Sequence, residues 1–326
     1  MFKRFQIENF RNIHTADIEL SPSFNIIIGG NGAGKTSLLE ALSFMGRGQS
    51  FRTKNISSII NAESNYFQLI AELDSRSILG IRRYPNDMTA RMNGETVTKL
   101  SRLAEQLPLF LITPSSHELL ESGPEYRRRF IDWGLFHIDR GYGKTMKEYR
   151  RTLKQRNAAL QLSKRETDIW AAALIRSAER IDQYRKAYLK KLTPLFLTLY
   201  GRLTDPKELS LSYYSGWRHG SSFAEQLSEK YRLDEERGYT SVGPHRADIV
   251  LKIGNSLARE VLSRGQQKIA VIALILAQTT LASNGRVPIL LIDDLTSELD
   301  QLHQSRLIQY IRQSSFQSII TSISST

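Results

Sequence analysis

The octapeptide Gly29-Gly30-Asn31-Gly32-Ala33-Gly34-Lys35-Thr36 constrains this chain more than any other stretch. It fits G-x-x-x-x-G-K-(S/T), a loop that must leave a strand and enter a helix so that its backbone N–H groups converge on phosphates. The flanks comply. Phe24 to Ile28 is a continuous apolar run of the buried-strand type, and Thr36 to Met45 has amphipathic helical spacing. The predicted nucleotide-binding set is Gly29, Gly30, Asn31, Gly32, Ala33, Gly34, Lys35, Thr36 and Ser37. Lys35 is expected to reach the β- and γ-phosphates and Thr36 to hold Mg²⁺ through its hydroxyl, with the positive end of the helix adding to the anion site.

A second feature supplies the partner chemistry. Ile289-Leu290-Leu291-Ile292 runs into Asp293-Asp294, a buried strand ending in acids. A carboxylate at that edge, beside a phosphate loop, is where such enzymes hold Mg²⁺, so Asp293 joins Thr36 as a metal ligand. Asp294 is the candidate for polarising the attacking water, a task worth about 10²–10⁴ in rate. Asp294 and Lys35 are therefore the predicted catalytic residues.

The stretch Leu262-Ser263-Arg264-Gly265-Gln266 opens a long apolar helix. A serine hydroxyl, a glycine N–H and a helix N-terminus make an anion site. A plain N-cap by Ser263 is the bland alternative.

Around these motifs the pattern changes twice. Residues 1–104 alternate as short strands about one helix and contain Asn93-Gly94, a strong hairpin turn. Between about 105 and 205 the spacing is helical, and residues 121–192 hold 18 Lys and Arg against nine Asp and Glu. Pro194 and the GRLTDPKE stretch are expected to break these helices. From 239 the chain reads as α/β again. The expected organisation is an α/β P-loop head with an antiparallel β-subdomain over 1–104 and 239–326, interrupted by a short helical arm over 105–238.

The chain's 45 Lys and Arg exceed its 33 Asp and Glu, and most of that excess lies in the arm, favouring a polyanionic partner. No base-reading motif accompanies it, so contacts to the nucleic-acid backbone are expected, with Arg150, Arg151 and Lys154 as candidates. A solvated face paired within the arm is the competing reading. The absence of cysteine excludes disulfides, thiolate metal sites and cysteine nucleophiles and fits a reducing compartment. MFKRFQIENF has no apolar leader core, and the longest apolar run, at 269–277, is too short to span a bilayer, so a cytoplasmic protein without a membrane role is expected.

Phosphate loop, LSRGQ and hydrophobic-DD followed by Ser297-Glu298-Leu299-Asp300 occur in the order that resembles the ABC-type ATPases. That resemblance implies ATP as the nucleotide, and implies that Leu262–Gln266 of one subunit covers the γ-phosphate held by another. It also puts Ser297, Glu298, Leu299 and Asp300 at the dimer seam. FQIENFRNI, YRRRFIDWGLFHI, KQRNAAL, GYTSVGPHRAD, LSRGQQK and LLIDDLTSELD together resemble the bacterial RecF family of recombination mediators, in order and over essentially the whole chain. The family resemblance implies slow ATP hydrolysis, ATP-dependent homodimers, binding to duplex and gapped DNA, RecR and RecO as partners, and help in loading RecA at single-strand gaps.

Two departures from the general ABC pattern stand out. Asp294 replaces the usual glutamate, and SIITSIS offers Thr321 and Ser322 where a switch histidine is expected. Both features speak against the alternative of an ABC-transporter ATPase subunit. A minimal SMC-like head, the other alternative, would need a far longer coiled coil. Arg11 and Asn12 are further candidates for approaching the nucleotide, with an exposed turn as the alternative. His245 and Arg246 suit structural bracing better than a seam role.

Overall fold

The computed structural model describes residues 1–162, 167–205, 208–283, 285–294 and 299–323. The chain forms two compact units. The first comprises residues 1–116, 202–204 and 268–326; the second comprises 117–201 and 205–267.

In the first unit, strands β1 (Phe2–Phe10), β2 (Ile13–Glu19), β4 (Phe67–Leu73), β5 (Ile78–Arg83), β6 (Met88–Met92) and β7 (Glu95–Thr96) form an antiparallel sheet in the order β2-β1-β4-β5-β6-β7. Alternation decides its inner face: Phe67, Leu69, Ala71 and Leu73 are buried while Gln68, Ile70 and Glu72 are half-buried. Asn93 and Gly94 both take positive φ, 53° and 85°, as the predicted two-residue hairpin demands.

A second sheet is wholly parallel. It holds β3 (Phe24–Ile28), β8 (Leu109–Ile112), β12 (Ile289–Ile292) and β13 (Gln317–Ser322), in the order β3-β13-β12-β8. Numbering only the longer helices, α1 (Lys35–Arg47) joins the two layers and α6 (Gln301–Arg312) connects β12 to β13. Leu39, Ala41, Leu42, Phe44 and Met45 of α1 lie in one core with residues of both sheets. Phe67 meets Phe10 and Phe44 edge-on at 5.0 and 5.1 Å, contacts worth about 1 kcal/mol each beyond burial.

The second unit is mainly helical, with α2 (Pro124–Ile138), α3 (Arg140–Gln161), most of α4 (Thr167–Leu203), and a three-stranded sheet in the order β11-β10-β9. Those strands are β9 (Leu209–Tyr214), β10 (Asp248–Ile253) and β11 (Ser256–Leu257). Helix α5 (Arg264–Leu281) begins in this unit and ends in the first.

Four expectations need correction. The stretch 105–205 is not purely helical, because LFLI forms β8 and pairs in parallel with β12. That pairing assigns residues to 116 to the first unit, and β9–β10 pairing assigns 239–267 to the second, so the divisions at 104 and 238 shift. Pro194 does not end its helix: α4 continues to Leu203, with Leu192, Phe196, Leu199 and Tyr200 buried on either side of the missing N–H. Finally, β3 is an edge strand and only half-buried, with Ile28 52 % exposed; its apolar run reads like a central strand because edge position depends on topology rather than local composition.

Candidate nucleotide site and basic helix face

The phosphate loop connects β3 to α1, as its spacing requires. Gly32 and Gly34 have φ of 80° and 94°, conformations that side chains resist, and Gly34 caps α1. The Lys35 ammonium donates to the carbonyls of Gly29 (2.6 Å) and Gly30 (2.9 Å), which centres it on the loop. Ser37 is buried at the loop's base and donates to Asn12 Oδ1 at 2.8 Å. The Asn12 amide donates in turn to the Gly32 carbonyl at 3.2 Å, and a Cβ on Gly34 would meet that amide at the same distance. Asn12 therefore ties the middle of the loop to the first turn of α1. Arg11 faces elsewhere: it grips the fully buried carboxylate of Glu40 through two nitrogens at 2.8 and 3.0 Å and donates to the Ser58 carbonyl.

Asp293, at the end of β12, is buried. Its Oδ1 accepts from the Thr36 hydroxyl at 3.0 Å and from the Thr321 hydroxyl at 2.9 Å. The fold thus brings the start of α1 to the end of β12, with β13 between the strands that carry them. Asp294 follows with φ of 50°, a left-handed conformation uncommon outside glycine, and its N–H donates to Thr321 Oγ1 at 2.8 Å. The tie between Thr321 and the acids is invisible to local sequence because it is a cross-strand event: Ile320 pairs with Ile292, and Thr321, one residue further along β13, comes within reach of Asp293 and Asp294.

In the second unit, Ser263, Arg264 and Gly265 are exposed at the start of α5, and Leu262 is buried behind them. Ser263 Oγ accepts from the Gln266 N–H at 3.3 Å, while Gln266 Oε1 accepts from the Ser263 N–H at 3.2 Å, a reciprocal cap. A Cβ at Gly265 would meet nothing within 4 Å, so the backbone there is open to close approach. The cap and an anion-binding role are compatible, since a hydroxyl both accepts and donates. Of the four residues expected at a dimer seam, Ser297 and Glu298 lie outside the described residues. Leu299 is half-buried, and Asp300 caps α6 through the His303 N–H at 3.0 Å while pairing with the His303 ring.

Helix α3 sorts the arm's cations by phase. Tyr142, Thr145, Met146, Tyr149, Thr152 and Arg156 are buried on one face. Arg140, Lys144, Lys147, Arg151 and Lys154 are exposed, and their four- and three-residue spacing puts them in one stripe on the other face, about 21 Å long. Arg151 and Lys154 belong to that stripe; Arg150 lies beside it, with its guanidinium 3.9 Å from Asp132. The spacing of Tyr142, Met146 and Tyr149 carried the signal for this phase.

Other arginines are internal braces. Arg127 grips Asp248, Arg128 donates to the Ala247 carbonyl, Arg156 bonds Asp234 and Thr240, and Arg185 bonds Asp132 and the Pro244 carbonyl. Three helices thus stitch down the single segment 240–248. Within it His245 donates from Nε2 to the Thr240 carbonyl (2.9 Å) and accepts at Nδ1 from the Tyr149 hydroxyl (2.6 Å), which specifies a neutral tautomer. Burial, with Arg246 and Arg128 nearby, pushes its pKa down to about 4. No helix is long and apolar enough to cross a membrane among the described residues.

The RecF/RecN/SMC N-terminal domain family matches the chain over residues 1–326. The DNA replication and repair protein RecF of Shewanella sp. (strain W3-18-1) is 40 % identical over 98 % of this chain and 91 % of its own length. That of Aliivibrio fischeri (strain MJ11) is 38 % identical over 98 % and 92 %. A solved RecF–ATP structure of the RecFOR pathway superposes with a TM-score of 0.88 at 26 % identity, covering all of this chain and 92 % of that one. An Smc head bound to the C-winged helix domain of ScpA shares the fold at a TM-score of 0.61 and 17 % identity, over 99 % of this chain and 89 % of its own. Matched over 98 % of its length by relatives near 40 % identity, and by the family over residues 1–326, the chain belongs to the RecF family.

Proposed function

We propose that the chain is an ATP-driven DNA-binding switch of replication and recombinational repair. The observation that carries this reading is the meeting of the Thr36 hydroxyl and Asp293 carboxylate at 3.0 Å beside a complete phosphate loop. ATP is the nucleotide favoured by the RecF–ATP structure that the chain resembles. Backbone N–H groups of Gly30–Thr36 and the Lys35 ammonium bind its phosphates. A hydroxyl and a carboxylate, both hard oxygen donors, suit Mg²⁺, which binds through one or two protein oxygens and keeps water and phosphate for the rest. When bound, Mg²⁺ neutralises charge on the β- and γ-phosphates. Asp294 orients and deprotonates the attacking water.

Leu262–Gln266 of a second copy covers the γ-phosphate, so ATP closes a homodimer, with Leu299 and Asp300 near the seam. Hydrolysis is slow, since the shorter Asp294 side chain must reach the water. The dimer brings two α3 stripes to bear on the backbone of duplex or gapped DNA. RecR and RecO act as partners, and the assembly helps to load RecA at single-strand gaps, in the cytoplasm.

Sedimentation and DNA binding with and without ATP–Mg²⁺ test the reading. The expected result is a dimer and tight DNA binding only with the nucleotide; equal behaviour in both conditions contradicts it.

A further inference from the structure

Strand β13 lies between the strand that feeds the phosphate loop and the strand that ends in the acid pair. At its C-terminal end Thr321 is fully buried, and its hydroxyl makes two short bonds, one to each acid. Asp294 N–H donates to Thr321 Oγ1 at 2.8 Å, and Oγ1 lies 2.9 Å from Asp293 Oδ1 and 3.5 Å from the Ile292 carbonyl. A hydroxyl has one proton to give, and the shorter distance assigns it to the carboxylate. The oxygen that receives it is the same Oδ1 that accepts from Thr36.

We infer that Thr321 is a positioning residue for the acid pair, fixing the Asp293 carboxylate toward Thr36 and holding Asp294 in its left-handed conformation. The inference rests on the reading that these two acids serve the nucleotide. A φ of 50° on an aspartate is an unfavourable conformation that persists only where its surroundings hold it. The bond from the Asp294 N–H is such a hold. A threonine that merely filled space in the strand would need only one backbone carbonyl, and Ile292 is in reach; instead both short bonds end on the acids. Side chains one step behind a site typically change metal affinity or activity about 10–100-fold when removed.

The test compares Thr321→Val, which keeps the shape and removes the hydroxyl, Thr321→Ala as a second hydroxyl-free form, and Thr321→Ser, which restores it. Steady-state ATP turnover is measured together with binding of a fluorescent ATP analogue in Mg²⁺ and in EDTA, and thermal melting controls for folding. In whichever hydroxyl-free variant melts like the wild type, kcat should fall about 10–100-fold, with little change in analogue affinity in EDTA and a smaller gain in affinity from Mg²⁺. Thr321→Ser should recover most of both losses. Wild-type turnover in the hydroxyl-free variants, or a Thr321→Ser variant as impaired as they are, overturns the inference. Lys35→Met separates the two levels. Unaltered ATP binding in Lys35→Met overturns the nucleotide-site reading and the inference with it. Loss of binding there, beside unaltered Thr321→Val turnover, overturns the role of Thr321 alone.

Discussion

Thr36 and Asp293 stand 257 positions apart in sequence, yet the hydroxyl of one donates to the carboxylate of the other at 3.0 Å. No local propensity makes that contact. It follows from parallel pairing that puts β13 between β3 and β12, so that the loop after β3 and the acid after β12 open on the same sheet edge.

The proposed roles of the residues at this edge divide into binding and turnover. Lys35→Met removes a cation centred on the loop and should weaken ATP binding severely. Asp294→Asn should bind ATP with near wild-type affinity and lose about 10²–10⁴ in turnover, trapping ATP-bound dimers. Equilibrium binding beside single-turnover hydrolysis distinguishes them; an Asp294→Asn variant that turns over normally removes Asp294 from the base role.

Ser263 has an observed local task and a proposed distant one. Its reciprocal cap with Gln266 predicts that Ser263→Ala lowers stability by about 1 kcal/mol, read as a modest fall in melting temperature. Ser263→Arg should leave the ATP affinity of the monomer nearly intact while abolishing ATP-dependent dimers. A loss of monomer ATP binding as deep as that of Lys35→Met contradicts a role in trans.

If the α3 stripe meets the DNA backbone as proposed, it should set the salt dependence of binding. Replacing Arg140, Lys144, Lys147, Arg151 and Lys154 by glutamine should reduce the slope of log affinity against log salt by up to about 4–5, one phosphate per cation. Arg150→Gln alone should change it less, because its guanidinium lies 3.9 Å from Asp132. An unchanged slope in the five-fold variant moves the DNA surface off this helix.

His245 predicts a pH dependence of stability. Its folded pKa of about 4 lies below the 6.5 of a free imidazole, so the unfolded chain takes up a proton that the folded chain rejects. The stability it contributes is complete above pH 6.5 and is lost as pH falls toward 4, by up to roughly 3 kcal/mol. Denaturant melts of wild type and His245→Gln between those pH values check this. Equal pH slopes in the two proteins rule out His245 as the source.

What the sequence revealed was local. The phosphate loop, the Asn93-Gly94 hairpin and the acid-ended strand each carry their signal within a few residues, and each forms as its chemistry requires. Features that depend on distant pairing stayed hidden: β8 inside an apparently helical stretch, the edge position of β3, and Thr321 beside both acids. Pro194 misled because buried neighbours on α4 override a local helix breaker. The density of arginine was visible, but its partition between buried braces such as Arg156 and Arg185 and the exposed stripe needed the helix phase and the acids across from it.

The central claim is a nucleotide site completed by a second copy, and mixing two defective chains tests it most directly. Lys35→Met keeps its signature segment, and Ser263→Arg keeps its phosphate loop. Sedimentation velocity in ATP–Mg²⁺ should find each variant monomeric alone. An equimolar mixture should form heterodimers, because one of the two composite sites is then intact. A mixture that stays monomeric while the wild type dimerises, or a Ser263→Arg protein that dimerises on its own, would contradict the account.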